Sequence, residues 1–447
     1  MGAKENTVIV VGAGIAGLLS ALWAQACGYK AILIERGNEC GGLLGSFVSE
    51  SGQAFDYGTH IPSLIGEPVV DHLMFGAQNQ VDWIEIPALK KGNFFHGYLN
   101  TSSQFIDITR LPHATYTQAL SEMINAMTTD REARSLQEAL VLHFGETLTE
   151  QVFTPLLKRI YRSPFERIDA NAHRFLAYAR VIVGSAEVSR ELKKSPVYDA
   201  KFAFRDSQES GVSALHLYPR NGGTGAWIAA LVSRLTDLGG EVLTDATIKS
   251  IAPDSGMLDL SDGRRLSFDK LVWTAPVALL AKLLFPEMKV SQPDFVPTGL
   301  HHLVLDRKPL CDSHYLYMND PQAMSFRITL YPNITQRADD YRITIEAVAD
   351  SKAGPLENSR ILAELIHGEI VPPDTRIVES HTSFLPHGFP ELTLDINAQN
   401  EKIRQALSRF ANVRIGGRGA AEVFFMNDVL KALVPVLQDF LGSPGRQ

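Results

Sequence analysis

The sequence predicts an α/β fold: a Rossmann-like nucleotide-binding domain assembled from separate stretches of chain, with an α+β region inserted into it. Three observations predict this. A short β-branched run, Thr7 to Val11, leads straight into the glycine turn "GAGIAG". A second strand–turn–helix pattern opens with "NVRIGGRG", far along the chain. Between them, residues 301–350 alternate apolar and polar in "HHLVLDR", "FRITLYPN" and "YRITIEAVAD", the period of half-buried antiparallel strands.

Bulk properties agree. A chain of 447 residues exceeds one ordinary core and suits two or three domains. Its 45% hydrophobic and 21% charged content is that of an ordered globular protein. A net charge of −8 argues against a general nucleic-acid binder, which needs a basic face. The three cysteines, Cys27, Cys40 and Cys311, show neither a disulfide framework nor zinc spacing. A reducing, cytoplasmic setting and no metal are therefore expected. The apolar stretch near the start lacks a basic leader region and is broken by Gly12, Gly14 and Gly17, so it reads as buried strand–helix–strand.

Each part of that first unit has a physical task. Ile15 to Cys27 is Ala- and Leu-rich and reads as a helix stopped by Gly28. Lys30 to Glu35 is a second apolar strand ending in an acid. Gly12 permits the tight turn, Gly14 lets the backbone approach a pyrophosphate, and Gly17 lets helix and strand pack closely. The helix N-terminus offers free N–H groups to the phosphates. Glu35 stands where a carboxylate accepts ribose hydroxyls and disfavours a 2′-phosphate. Strand, turn, helix, strand and acid together make a strong dinucleotide signature. The glycine pair Gly41–Gly42 soon after suits a longer dinucleotide, FAD, whose flavin portion needs backbone contact beyond the pyrophosphate.

Four segments carry a resemblance. "VVGAGIAGLLSALWAQACGYKAILIERGNECGGLLGSF", "YPRNGGTGAWIAALVSRL…LVWTAP", "FPELTLD" and "NVRIGGRGAAEVFFMNDVLKAL" resemble the superfamily of amine oxidases, protoporphyrinogen oxidases, phytoene desaturases and UDP-galactopyranose mutases. The resemblance implies the Gly–Arg type of FAD-binding fold with non-covalent FAD. It places Glu35 and Arg36, the backbone of Ile248, and Gly417 with Arg418 at the cofactor. It also implies a discontinuous FAD domain, 1–75, 215–290 and 395–447, with a substrate region of 76–214 and 291–394. Within that region 135–161 reads as helical with Gly145 interrupting it, and the polar stretch 185–212 reads as a mobile loop or lid. The helical stretch is not basic enough to favour a membrane surface, though peripheral contact stays open.

Two residues are candidates for the chemistry. The loop "YGTHIPS" is similar to a mutase loop whose histidine lies near the flavin, which puts His60 beside the ring. "SFRITLYPN" resembles a mutase strand that supplies an arginine to a substrate diphosphate, here Arg327. A guanidinium between apolar strand residues needs a partner, and either a bidentate anion or a carboxylate of the protein serves. The chain departs from the mutases in its last motif: Phe424 replaces an expected tyrosine and Met426 an expected acid. A phenyl ring cannot hydrogen-bond a phosphate. The leading expectation is an FAD-dependent oxidoreductase acting on a polar small molecule such as a nucleotide sugar. The alternatives are a redox-neutral sugar mutase using reduced FAD as nucleophile, and a flavin-binding protein without turnover.

Overall fold

The computed structural model describes residues 6–126, 132–172, 178–211, 214–349, 356–420 and 425–445. The chain divides into two compact units. One comprises residues 1–85, 214–292 and 396–447, and the other 86–213 and 293–395. The first segment of the first unit thus runs to Glu85, ten residues beyond the expected 75. Arg220 ties this extension down through its N–H to the Asp82 carbonyl and its Nε to Asp82 Oδ2, both 2.9 Å. Trp83 also packs edge-on against Trp227.

The first unit is built on a five-stranded parallel sheet. Its order is Glu241–Leu243, Lys30–Ile34, Thr7–Val11, Lys270–Trp273, Val413–Ile415. Both faces are covered, so its strands read as continuous apolar runs. Val8, Val10, Ala31, Leu33 and Val272 face the helices Ile15–Ala26, Gly223–Asp237 and Met426–Leu441. Ile9, Val11, Ile32, Ile34, Leu271 and Trp273 face the other way. There they meet helix Val277–Leu284 and the three-stranded antiparallel sheet Ile248–Ala252, Met257–Leu260, Arg265–Ser267. The Asp262–Gly263 turn closes the last hairpin, as its sequence predicts.

The second unit holds a seven-stranded sheet in the order Ile377–Pro390, Phe295–Leu305, Arg342–Val348, Ser325–Leu330, Tyr315–Met318, Lys91–Phe95, Tyr98–Asn100. All neighbours are antiparallel except Tyr315–Met318 beside Lys91–Phe95. Phe94, Leu316, Ile328, Ile343 and Ile345 line one face under helix Asn358–His367, whose Ile361 and Leu365 join the same core. The helical part contains His113–Asn125 and Leu136–Leu148, the latter kinked at Gly145 (φ 82°, ψ 172°). A Cβ at Gly145 would lie 2.6 Å from the Glu122 Cβ, and the Glu122 carboxylate accepts Thr147 N and Oγ1, both at 2.7 Å, just past the kink.

One expectation is corrected here. Residues 185–211 form helices Ala186–Leu192 and Pro196–Asp199 and a 3₁₀ turn, Ser207–Ser210, rather than a loop. The charged residues that suggested mobility are spent locally: Arg190 pairs with Glu187 and Glu209, Lys193 with Asp199, and Arg205 with the buried Asp107. Among the described residues no helix is long and apolar enough to cross a membrane.

Candidate functional site

The glycine turn is held by contacts that only glycine allows. Gly12 (φ 96°) donates its N–H to the Ile34 carbonyl at 2.8 Å, and a Cβ there would lie 2.8 Å from Thr274 Oγ1. A Cβ on Gly17 would stand 1.7 Å from the Gly12 carbonyl oxygen, so helix and turn interlock. Gly14 is different: a Cβ there would meet nothing within 4 Å. It opens onto the N-terminus of helix Ile15–Ala26, which has no side-chain cap and no acid in its first turn. Its first N–H groups are therefore available to an anion.

Glu35 and the second glycine pair join this turn. The Glu35 carboxylate accepts the N–H groups of Ala13 and Gly37, both at 2.8 Å. Its backbone is bracketed by Leu243 and Ala246, which brings Ile248, two residues on, to the same rim, while Arg36 is exposed beside it. Gly41 donates to the Ala13 carbonyl at 2.7 Å and bridges Gly14, and Gly42 follows with φ 57°. Gly417 (φ 73°) packs on the first turn of the same helix, where a Cβ would come 2.9 Å from Ala16 Cβ. The adjoining Arg418 is half-buried, and burial pushes its guanidinium down to about 10. Gly12, Gly14, Gly17, Glu35, Gly41, Gly42 and Gly417 thus surround one cradle.

His60 sits half-buried in a loop of the same unit, its Nε2 3.3 Å from the Tyr57 carbonyl oxygen, a contact in which a ring N–H donates. Four residues before it lies Asp56, which no sequence motif marks out. Asp56 is 1% exposed, and its Oδ1 accepts Ser46 Oγ (2.6 Å), Thr224 N (2.7 Å) and Thr224 Oγ1 (3.0 Å). Its Oδ2 accepts the Tyr218 hydroxyl at 2.6 Å. Ser46 Oγ in turn receives Gly225 N–H at 2.7 Å. The carboxylate therefore caps helix Gly223–Asp237 and fixes the start of the His60 loop. The signal was an acid in the apolar run "AFD", together with a "GGTG" turn lacking a capping side chain of its own. Beyond His60, Ser63 Oγ accepts Asn427 Nδ2 at 2.7 Å, fastening the loop to the start of helix Met426–Leu441. Phe424 lies outside the described residues.

Arg327 belongs to the second unit. Its Nε and Nη2 each donate to Glu346 at 2.6 Å, a bidentate pair between directly opposed residues of adjacent strands. Burial opposes the guanidinium charge, but Glu346 outweighs it and the net shift is upward. Register aligns two rows on this face: Asn93, Tyr317, Arg327, Glu346, and Lys91, Tyr315, Thr329, Thr344, His302. It is as polar as the opposite face is apolar. His60 and Arg327 thus stand in different units.

A doubly covered parallel sheet with a glycine-lined cradle, a carboxylate at the second strand and a closing Gly–Arg turn is the fold of FAD-binding oxidoreductases. The resemblance to the amine oxidase and protoporphyrinogen oxidase superfamily rests on this architecture as well as on sequence. Residues 10–74 match the NAD(P)-binding Rossmann-like domain family. The chain is 22% identical over 406 residues to a phytoene desaturase of Cercospora nicotianae, covering 85% of this chain and 63% of that one. It is 26% identical over 347 residues to a 4,4'-diapolycopene oxygenase of a Methylomonas species, covering 72% and 68%. The chain thus spans about two thirds of the length of these relatives. The structure superposes on that of reduced UDP-galactopyranose mutase with a TM-score of 0.76 at 20% identity, over 98% of this chain and 94% of that one.

Proposed function

We propose that the chain is an FAD-dependent oxidoreductase that removes a hydride from a polar substrate, of which a nucleotide-linked sugar is the best-suited class. The observation that carries the substrate class is the sheet face bearing Lys91, Asn93, Tyr315, Tyr317, Arg327 and Glu346. A face this rich in hydrogen-bonding groups suits a hydroxylated, charged molecule rather than a hydrocarbon.

Bound FAD supplies the hydride acceptor, flavin N5. The cradle supplies everything else on the first unit. The open side of Gly14 and the uncapped helix N-terminus bind the pyrophosphate. Glu35 offers its carboxylate to ribose hydroxyls, with Arg36 and the Ile248 backbone at the same end. Arg418, in its dry position, favours negative charge at the Gly–Arg turn. His60 holds a proton at Nε2 against the Tyr57 carbonyl and, in this reading, faces the ring.

The loop "YGTHIPS", similar to the mutase loop, favours a second reading, the redox-neutral sugar mutase. One anaerobic experiment separates the two. Nucleotide sugars that bleach oxidised flavin support the oxidoreductase. Turnover seen only after flavin reduction, with no reductant consumed, supports the mutase. A protein that binds no FAD sinks both.

A further inference from the structure

Among the described residues the polar sheet face carries Lys91, Arg327 and Arg342, and their situations differ; Arg342 is spent on Asp340. Arg327 is spent on Glu346. Lys91 is half-buried on the neighbouring row, directly opposite Tyr315, yet its side-chain amine makes no hydrogen bond or ion pair among the described residues. Burial pushes its amine down, while the nearby Tyr317 hydroxyl works the other way. The rings of Tyr315 and Tyr317 lie 5.6 Å apart and near perpendicular, and burial pushes both phenols up, so they stay neutral. An ammonium held away from water without a counter-ion is costly, and a bound anion removes that cost. Two neutral hydroxyls beside it are donors that no carboxylate of the face competes for.

From this geometry we infer that Lys91, with Tyr315 and Tyr317, forms an oxyanion subsite that binds a phosphate or carboxylate group of the substrate. The inference rests on reading this face as the substrate surface. It moves the anion contact from Arg327, whose fork Glu346 already fills, to the cation one row away.

The test uses the full chain loaded with FAD. Inorganic diphosphate and, separately, succinate are titrated by calorimetry. Binding of diphosphate alone marks a phosphate subsite, and binding of succinate alone a carboxylate subsite. Lys91→Gln and Lys91→Met weaken whichever binds by about tenfold or more, with flavin absorbance and melting temperature retained. Affinity unchanged in both variants, or no binding of either probe to the wild type, overturns the inference. Acetylation of Lys91 in the wild-type protein, followed by mass spectrometry, needs no variant. The bound probe protects the amine, and equal labelling with and without it also overturns the inference. Failure to take up FAD would instead sink the oxidoreductase reading, because protection of the Lys91 amine itself is read residue by residue without the cofactor.

Discussion

Asp56 Oδ1 accepts the Thr224 backbone N–H at 2.7 Å, so a carboxylate four residues before His60 caps a helix 168 residues further on. With Ser46, Thr224 Oγ1 and Tyr218 also donating, removal of this one group strands several buried donors. Asp56→Ala should cost about 3 kcal/mol or more and release FAD. Urea unfolding with flavin fluorescence reads both. A loss below about 1 kcal/mol would mean the cap is dispensable.

Gly14 and Gly17 make opposite predictions from neighbouring positions. Gly14→Ala adds a methyl where nothing lies within 4 Å, at a φ of −71° that alanine accepts. It should fold with an unchanged melting temperature and lose FAD affinity. Gly17→Ala drives a methyl into the Gly12 carbonyl and should destabilise the fold itself. Equal melting temperatures for the two variants would contradict this.

His60→Ala should retain FAD and alter its spectrum or reduction potential. Spectrum, potential and activity all unchanged would return His60 to the status of a loop residue.

The Arg327–Glu346 pair can be split into structure and binding. Arg327→Met removes the bidentate fork from Glu346, which is 3% exposed, at about 3–5 kcal/mol. Arg327→Met combined with Glu346→Leu should recover most of that. If Arg327→Met instead keeps its stability and only raises KM, Arg327 touches the substrate.

His302 makes stability depend on pH. Burial first, then the neighbouring His381 and His301, lower it to about 3. In the unfolded chain it titrates near 6.5, so between these values the unfolded state binds the extra proton. Stability is therefore full above about pH 6.5 and falls as pH drops, by about 2 kcal/mol at pH 5 from this group. His302→Gln should flatten that slope in melting curves, and an unchanged slope would discount the burial argument.

The strand–turn–helix–strand of the first unit was readable because its determinants are local. Thr7–Val11 has the expected bounds, helix Ile15–Ala26 stops one residue short of the expected Cys27, and Gly28 follows at φ 81°. Asp56 went unnoticed because its meaning lies in Thr224 and Tyr218, distant in sequence. Arg327 was ambiguous for the same reason: Glu346 becomes its partner only through strand register. The stretch 185–211 misled because its charges pair with one another and with Asp107 rather than with water.

The strand order of the first unit bears on how the protein is made. Lys270–Trp273 must insert between Thr7–Val11 and Val413–Ile415, so the central sheet cannot be completed until ribosomes have passed residue 415. Until Lys270–Trp273 is made the earliest strand leaves the exit tunnel with an apolar edge unpaired, and pairings this distant in sequence close slowly. Nascent chains should accordingly depend on chaperones and acquire FAD only after synthesis of the Gly417–Arg418 turn, the last piece of the cradle to appear.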